Sequence, residues 1–210
     1  IESGENLNVE FKQKFSEHEK IAKEIIAFAN TRGGYLIFGV KDNRKVCGVE
    51  SEKGIVELVQ QVINDYCEPK PEVYIYYYEI DNKEVVVFEV LESQSKPIRI
   101  QDYLSEFDLN SAQVYIRQND KSVPASKEMI KILQSQSAQM NLKNYEIGKN
   151  EKIVFEFLDK NEKITVKDLG KCANISDRRA SRTLIKLVRA NILFIHSKDN
   201  GESFFTYAGI

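Results

Sequence analysis

Five basic side chains, Arg178, Arg179, Arg182, Lys186 and Arg189, fall close together near the C-terminal end, with Asp177 as the acid beside them. Arg178 and Arg182 are i,i+4 neighbours, as are Arg182 and Lys186, so a helix would align their charges on one face. A basic face on the second helix of a helix-turn-helix neutralises phosphates and enters the major groove of DNA. The plain alternative is a solvated helix surface. At the other end of the chain stand Glu5, Glu10 and Lys12, followed by Asp42 after an apolar run. Acids at strand ends can hold a divalent cation and activate water for phosphodiester cleavage. Glu5 and Glu10 are five positions apart, which neither helical nor strand periodicity puts on one face, so surface acids beside a turn remain the alternative.

The elements that must position these groups follow from the pattern of apolar residues. Residues 7–12 alternate as a half-buried strand. Ser16 with Glu19 has capping-box spacing and opens a helix with Ile21, Ile25 and Phe28 on its core face. Gly33-Gly34 ends it. The run from Tyr35 to Val40 reads as a strand covered on both faces. A second helix carries Ile55, Leu58, Val59, Val62 and Ile63. Strands at Val73 to Ile80 and Glu84 to Leu91 form a hairpin about Asp81-Asn82-Lys83. A further strand is expected at Val114 to Arg117, then a short helix with Met129, Ile130 and Leu133.

The composition changes at Gln134 to Asn150, where periodicity fades; residues 136–150 are read as a linker between a domain at 1–135 and one at 151–210. In the latter, Ile153, Val154, Phe157 and Leu158 mark a first helix. Thr165 and Asp168 form a second capping-box pattern. Ser176 caps a third helix with Ala180, Leu184, Leu187 and Val188 inward. Strands on either side of Asp199-Asn200-Gly201 complete the order of a winged helix-turn-helix, with Lys198 near the wing tip. The fold class expected is α+β: a mixed N-terminal domain followed by a smaller winged-helix domain.

Composition narrows the classes. No apolar run approaches the roughly 20 residues that cross a bilayer, so no membrane partner is expected. No basic-then-apolar leader opens the chain, and Ile1 points to a start further upstream. Cys47, Cys67 and Cys172 are scattered, without CxxC spacing, which argues against a disulfide framework or a zinc site and for a reducing, cytoplasmic setting. His18 and His196 are isolated from one another. The net charge of −2 does not announce a nucleic-acid binder, but binding depends on a local basic patch rather than on the total.

The segment Glu5-Asn-Leu-Asn-Val-Glu10-Phe11-Lys12, followed by Ala27-Phe28-Ala29-Asn30-Thr31-Arg32-Gly33-Gly34-Tyr35-Leu36-Ile37-Phe38-Gly39-Val40-Lys41-Asp42, resembles the signature of the Schlafen AlbA-like domain. The likeness continues at Gly48-Val49, Lys96-Pro97, Tyr115-Ile116-Arg117 and Val123-Pro124-Ala125-Ser126, over roughly residues 1–133. It implies an α/β domain that handles nucleic acid. Some members are endoribonucleases using two glutamates and an aspartate, and their pattern falls on Glu5, Glu10 and Asp42. The resemblance therefore makes these three the candidate catalytic residues and ligands for Mg²⁺ or Mn²⁺, and Lys12 a candidate phosphate contact. Many bacterial members are described as DNA-binding regulators. At Arg117-Gln118-Asn119 this chain departs from relatives that usually carry glycine. Older descriptions of the family invoke ATP, yet Gly33-Gly34 lacks the GxxxxGK[ST] arrangement that cradles phosphates.

The leading expectation is a DNA-binding protein, a transcriptional regulator, contacting duplex DNA through Arg178, Arg179, Arg182 and Lys186, and acting as a homodimer on paired half-sites. The alternative is a metal-dependent nuclease using Glu5, Glu10 and Asp42. A third possibility is a protein-binding module whose winged helix no longer meets DNA.

Overall fold

Alternation in the first strand sets the architecture. In β1 (Val9–Lys12), Phe11 points to one side and Glu10 and Lys12 to the other. The computed structural model of the chain describes residues 1–137 and 147–208. The chain divides into two compact units, Ile1–Pro124 and Ala125–Ile210.

In the first unit, β1 is followed by α1 (His18–Asn30), β2 (Gly34–Phe38), α2 (Glu52–Tyr66), β3 (Cys67–Glu68), β4 (Val73–Ile80), β5 (Lys83–Val90), β6 (Arg99–Ile100), β7 (Tyr115–Gln118) and β8 (Lys121–Pro124). A four-stranded sheet has the order β1-β2-β5-β4. The β1–β2 pair is parallel and the other pairs are antiparallel. β3 with β6 and β7 with β8 form small antiparallel pairs.

Helices α1 and α2 supply the core of one sheet face. Ile21, Ile25, Phe28, Val59 and Val62 meet Leu36, Phe38, Val86, Phe88 and Val90. Each such side chain taken from water contributes about 1.5–3 kcal/mol. The opposite face is closed only in part, by Val40 and Val46 over Phe11, Ile37 and Val85. The strand expected to be covered on both sides therefore has an open end: Tyr35 is exposed. The Asp81-Asn82 turn has φ of +51° and +58°, the left-handed pair that matches strand twist in a two-residue hairpin. Cys67 is buried and Cys172 is exposed.

The capping box expected at Ser16 and Glu19 does not form. The helix starts at His18 with Glu17 in the cap position and no side-chain cap bond. Asn119, where glycine is usual, has φ of +55°. Asparagine tolerates that left-handed conformation better than most residues, so the β7–β8 turn closes without glycine.

The second unit holds α3 (Lys127–Ser137), α4 (Lys149–Leu158), α5 (Val166–Ala173), α6 (Asp177–Arg189), β9 (Leu193–Ser197) and β10 (Ser203–Tyr207). The domain edge expected at 135 falls inside α3, whose contacts place it with this unit. The expected linker at 136–150 lies for the most part outside the described residues. Val154, Leu158, Ile164, Leu169, Ala180, Leu184, Leu187, Leu193 and Phe205 form one core. Thr165 and Asp168 do form the capping box expected of them: Asp168 N–H donates to Thr165 Oγ1 at 3.2 Å and Thr165 N–H donates to Asp168 Oδ2 at 2.9 Å. Asn174 takes the left-handed conformation that ends α5, and Ser176 caps α6. β9 and β10 pair antiparallel, and Ile164 bridges to Phe205 on the far side of β10.

Candidate functional site

The motif Ala27 to Gly34 is a device for placing one arginine. Asn30, 2% exposed, donates to the carbonyls of Ile98 and Tyr115 at 2.8 and 3.0 Å and accepts from Ile98 N–H at 2.7 Å. Thr31 Oγ1 donates to Ala27 O and accepts from Arg117 N–H at 2.9 Å. Together they hold β7 against the end of α1. The Arg117 guanidinium then lies 4.6 Å from the Phe28 ring centre, a cation–π contact. Gly33 has φ of +70°, and a Cβ there would stand 2.6 Å from Val90 O; a Cβ on Gly34 would stand 2.3 Å from the Phe28 ring. Close packing of helix on strand, rather than a phosphate cradle, accounts for both glycines.

The Arg117 side chain is fully buried. Its Nη1 donates to Glu10 Oε2 at 3.1 Å, Glu24 Oε2 at 3.0 Å and Ser122 Oγ at 3.1 Å. Its Nη2 donates to Asn6 O at 2.9 Å. Lys12 donates to Glu10 and lies 3.8 Å from Glu24. Two cations and two carboxylates are thus matched, as buried charge requires. Burial, followed by the charge of Glu10, raises the Glu24 carboxyl above its ordinary value.

Glu5 sits at the rim of this network and accepts from Phe11 N–H at 2.9 Å. Its pKa is raised chiefly by burial, with the charges of Glu10 and Asp42 adding in the same direction. The three acids singled out by resemblance therefore share one electrostatic neighbourhood. They do not make a ligand cage: among the described residues no three His, Cys, Asp or Glu side chains are arranged to hold a metal ion together. Glu10 is nearly buried and committed to Lys12 and Arg117, whereas Asp42 is exposed. Lys12, the expected phosphate contact, has its charge matched within the fold.

Sequence reasoning missed Glu24 and gave Arg117 no role. Glu24 is three residues beyond Ile21 and four before Phe28, on the helix face that carries the core. A carboxylate on such a face needs a cation, and that was the readable signal.

On the second unit, Ser176 Oγ accepts from Arg179 N–H at the start of α6. Ala180, Leu184 and Leu187 turn inward, and Ser181 bonds to Glu128 and Lys131 of α3. The remaining face carries Arg178, Arg179 and Arg182, all exposed, with no salt bridge to any of the three among the described residues. Lys186 lies 3.9 Å from Glu151. Lys198 at the hairpin tip pairs with Glu202 at 3.0 Å.

No helix among the described residues is long and apolar enough to cross a membrane. Part of the chain, 64 residues, is 42% identical to the uncharacterized ATP-binding protein UU034 of Ureaplasma parvum; they make up 29% of this chain and only 18% of that relative's length. The DIP2311 protein of Corynebacterium diphtheriae superposes with a TM-score of 0.46 at 20% identity, covering 64% of this chain and 28% of that one. The N-terminal domain of a RecG-related protein from Nitrosomonas europaea gives 0.38 at 20% identity, over 53% of this chain and 78% of that one. The family model described as Schlafen, AlbA_2 matches residues 5–126, the stretch from Glu5 past β8 that holds the whole Arg117 network, and the chain belongs to that family.

Proposed function

We propose that this chain is a nucleic-acid-binding protein whose second unit is a winged helix-turn-helix, docking on duplex DNA through α6 in a transcriptional regulator that works as a homodimer. The observation that carries the reading is the face of α6: Arg178, Arg179 and Arg182 are exposed and carry no ion pair among the described residues. A short turn at Asn174 to Ser176 joins α5 to α6, and the hairpin behind it hydrogen-bonds to Ile164. That order suits a recognition helix with a wing. Lys186, shared with Glu151, is a weaker contact. The three free thiols suit a reducing cytoplasm.

Binding to a duplex across a salt series tests this. Removing one phosphate-neutralising side chain lowers the slope of log K against log salt by about 0.9. Arg178→Ala with Arg182→Ala should flatten the slope by roughly twice that. An affinity indifferent to salt, or unchanged in the double variant, removes α6 from DNA binding.

A second reading, a metal-dependent nuclease, is favoured by one observation: Glu10 and Asp42 both act on the Glu5 carboxyl. As folded here Glu10 is committed to Lys12 and Arg117, so the residues do not fit a metal and no step is routed through one. Cleavage of RNA or DNA with Mg²⁺ or Mn²⁺ by the native chain and by Glu10→Ala tests it; equal cleavage by both takes Glu10 out of the reaction.

A further inference from the structure

The β4 strand is the outer edge of the four-stranded sheet, and β5 is its partner. The register with β5 is unbroken from Val73 to Ile80. Ile80 and Lys83 flank a two-residue turn, so they exchange backbone hydrogen bonds, and so do Tyr78, Tyr76 and Tyr74 with their partners. The bond from Leu91 N–H to Glu72 O continues the same phase. The backbone groups of Val73, Ile75, Tyr77 and Glu79 therefore point away from the sheet. Among the described residues none of them finds a backbone partner.

Edges of this kind are normally blunted by lysine, proline, a bulge or short length. β4 is eight residues long, carries neither lysine nor proline, and has Glu79 as its one charge. Tyr74, Tyr76, Tyr77 and Tyr78 are 41–54% exposed. Two of these rings are already held in place: Tyr76 donates to Glu89 at 2.8 Å and Tyr74 to Glu72 at 2.6 Å. Within the described residues of the first unit, the result is an ordered edge with no strand paired to it.

We propose that β4 pairs antiparallel with β4 of a second copy of this chain, about a two-fold axis at Tyr76. Outward-pointing residues can face only outward-pointing residues, which restricts the registers to alternate positions. Centring on Ile75 would bring Pro71, which has no N–H, into the ladder. Centring on Tyr77 would leave Val73 facing the turn. Centring on Tyr76 uses the whole edge from Val73 to Glu79. It sets Tyr76 against its own copy, Tyr74 against Tyr78, Ile75 against Tyr77 and Val73 against Glu79. No acid faces an acid, and the paired rings suit cross-strand contact. Two sheets then become one, with six tyrosines in a row across the junction. This inference rests on the homodimer of the proposed function and names its surface. A monomeric native chain overturns both, whereas a dimer that survives the variants overturns only the β4 pairing; docking of α6 on DNA is tested separately by the salt series.

Sedimentation equilibrium of the full chain over a concentration series tests it. The native chain should dimerise. Tyr77→Pro removes an outward N–H without touching the β5 ladder and should weaken the dimer at least about tenfold, a loss of ~1.4 kcal/mol. Tyr76→Lys and Tyr76→Glu, at an exposed position, should each be monomeric because like charges meet at the axis. Mixing those two should restore a dimer. A monomeric native chain, a dimer that survives both Tyr77→Pro and Tyr76→Lys, or a mixture that stays monomeric overturns the proposal.

Discussion

Arg117 and Glu24 stand 93 positions apart in the chain and meet at 3.0 Å, a guanidinium on a carboxylate inside the first unit. Neither could sit there alone. The pair is the point at which the family motif, the first helix and the β7–β8 hairpin depend on one another.

Removing the cation should therefore be costly. Arg117→Met leaves Glu10 and Glu24 buried without their shared partner, and loss of about 3–5 kcal/mol is expected. Adding Glu24→Gln should recover part of it, because one of the stranded charges is gone. Urea unfolding of the native chain, of Arg117→Met and Glu24→Gln singly and of the double variant measures this; strictly additive losses would mean the two groups are not coupled.

Glu24 also sets a pH dependence. Its carboxyl is raised above the ordinary 4.5, first by burial and then by Glu10. A carboxyl that holds its proton more tightly folded than unfolded gives stability that is complete below 4.5 and lost as pH climbs through the raised value. In that mildly acid window Glu24→Gln should flatten the slope of unfolding free energy against pH, in the direction of less loss on raising pH. Chemical denaturation at a series of pH values reads it, and an unchanged slope would refute the assignment.

Two glycines should respond in opposite ways to alanine. At Gly34 the new methyl meets the Phe28 ring at 2.3 Å and Asn8 O at 2.7 Å, and backbone cannot step aside. Destabilisation of about 1–3 kcal/mol or more is expected. At Gly54, inside α2, the nearest atom is Ser51 Oγ at 3.4 Å. There Gly54→Ala should stabilise by roughly 0.5–1 kcal/mol through helix propensity. Thermal melts of the two variants decide the matter by sign.

Thr165→Ala should cost about 1 kcal/mol, the usual value of a helix cap. Its hydroxyl both accepts from Asp168 N–H and donates to Asp168 Oδ2. Hydrogen exchange should quicken at the first amides of α5, with the amides of α1 unaffected; uniform change across both helices would contradict a local role.

Local patterns carried much of the fold. The Asp81-Asn82 turn, the Thr165 cap and the inward residues of α6 each depend on neighbours within a few positions, so spacing alone was enough to find them. Ser16 and Glu19 had the same spacing as Thr165 and Asp168, yet the helix begins one residue later than the pattern implies. Capping strings are common in polar segments and do not by themselves fix a helix start. The candidate site was legible only in part. Glu5, Glu10 and Asp42 were visible as a motif, but the buried cation that matches Glu10 arrives from β7, 107 positions further on. Nothing in periodicity reveals such a distant pairing. The strand at Val73 to Ile80 was likewise readable, whereas its place at the edge of the sheet depends on strand order.

The burial of Cys67 has a practical use. Packing around it pushes the thiol up to about 12, so almost none of it is thiolate at neutral pH, while Cys172 lies open on α5. An alkylating reagent reaches Cys67 only when the first unit opens. Its labelling, timed against that of Cys172, is a built-in clock for the breathing of one half of the molecule.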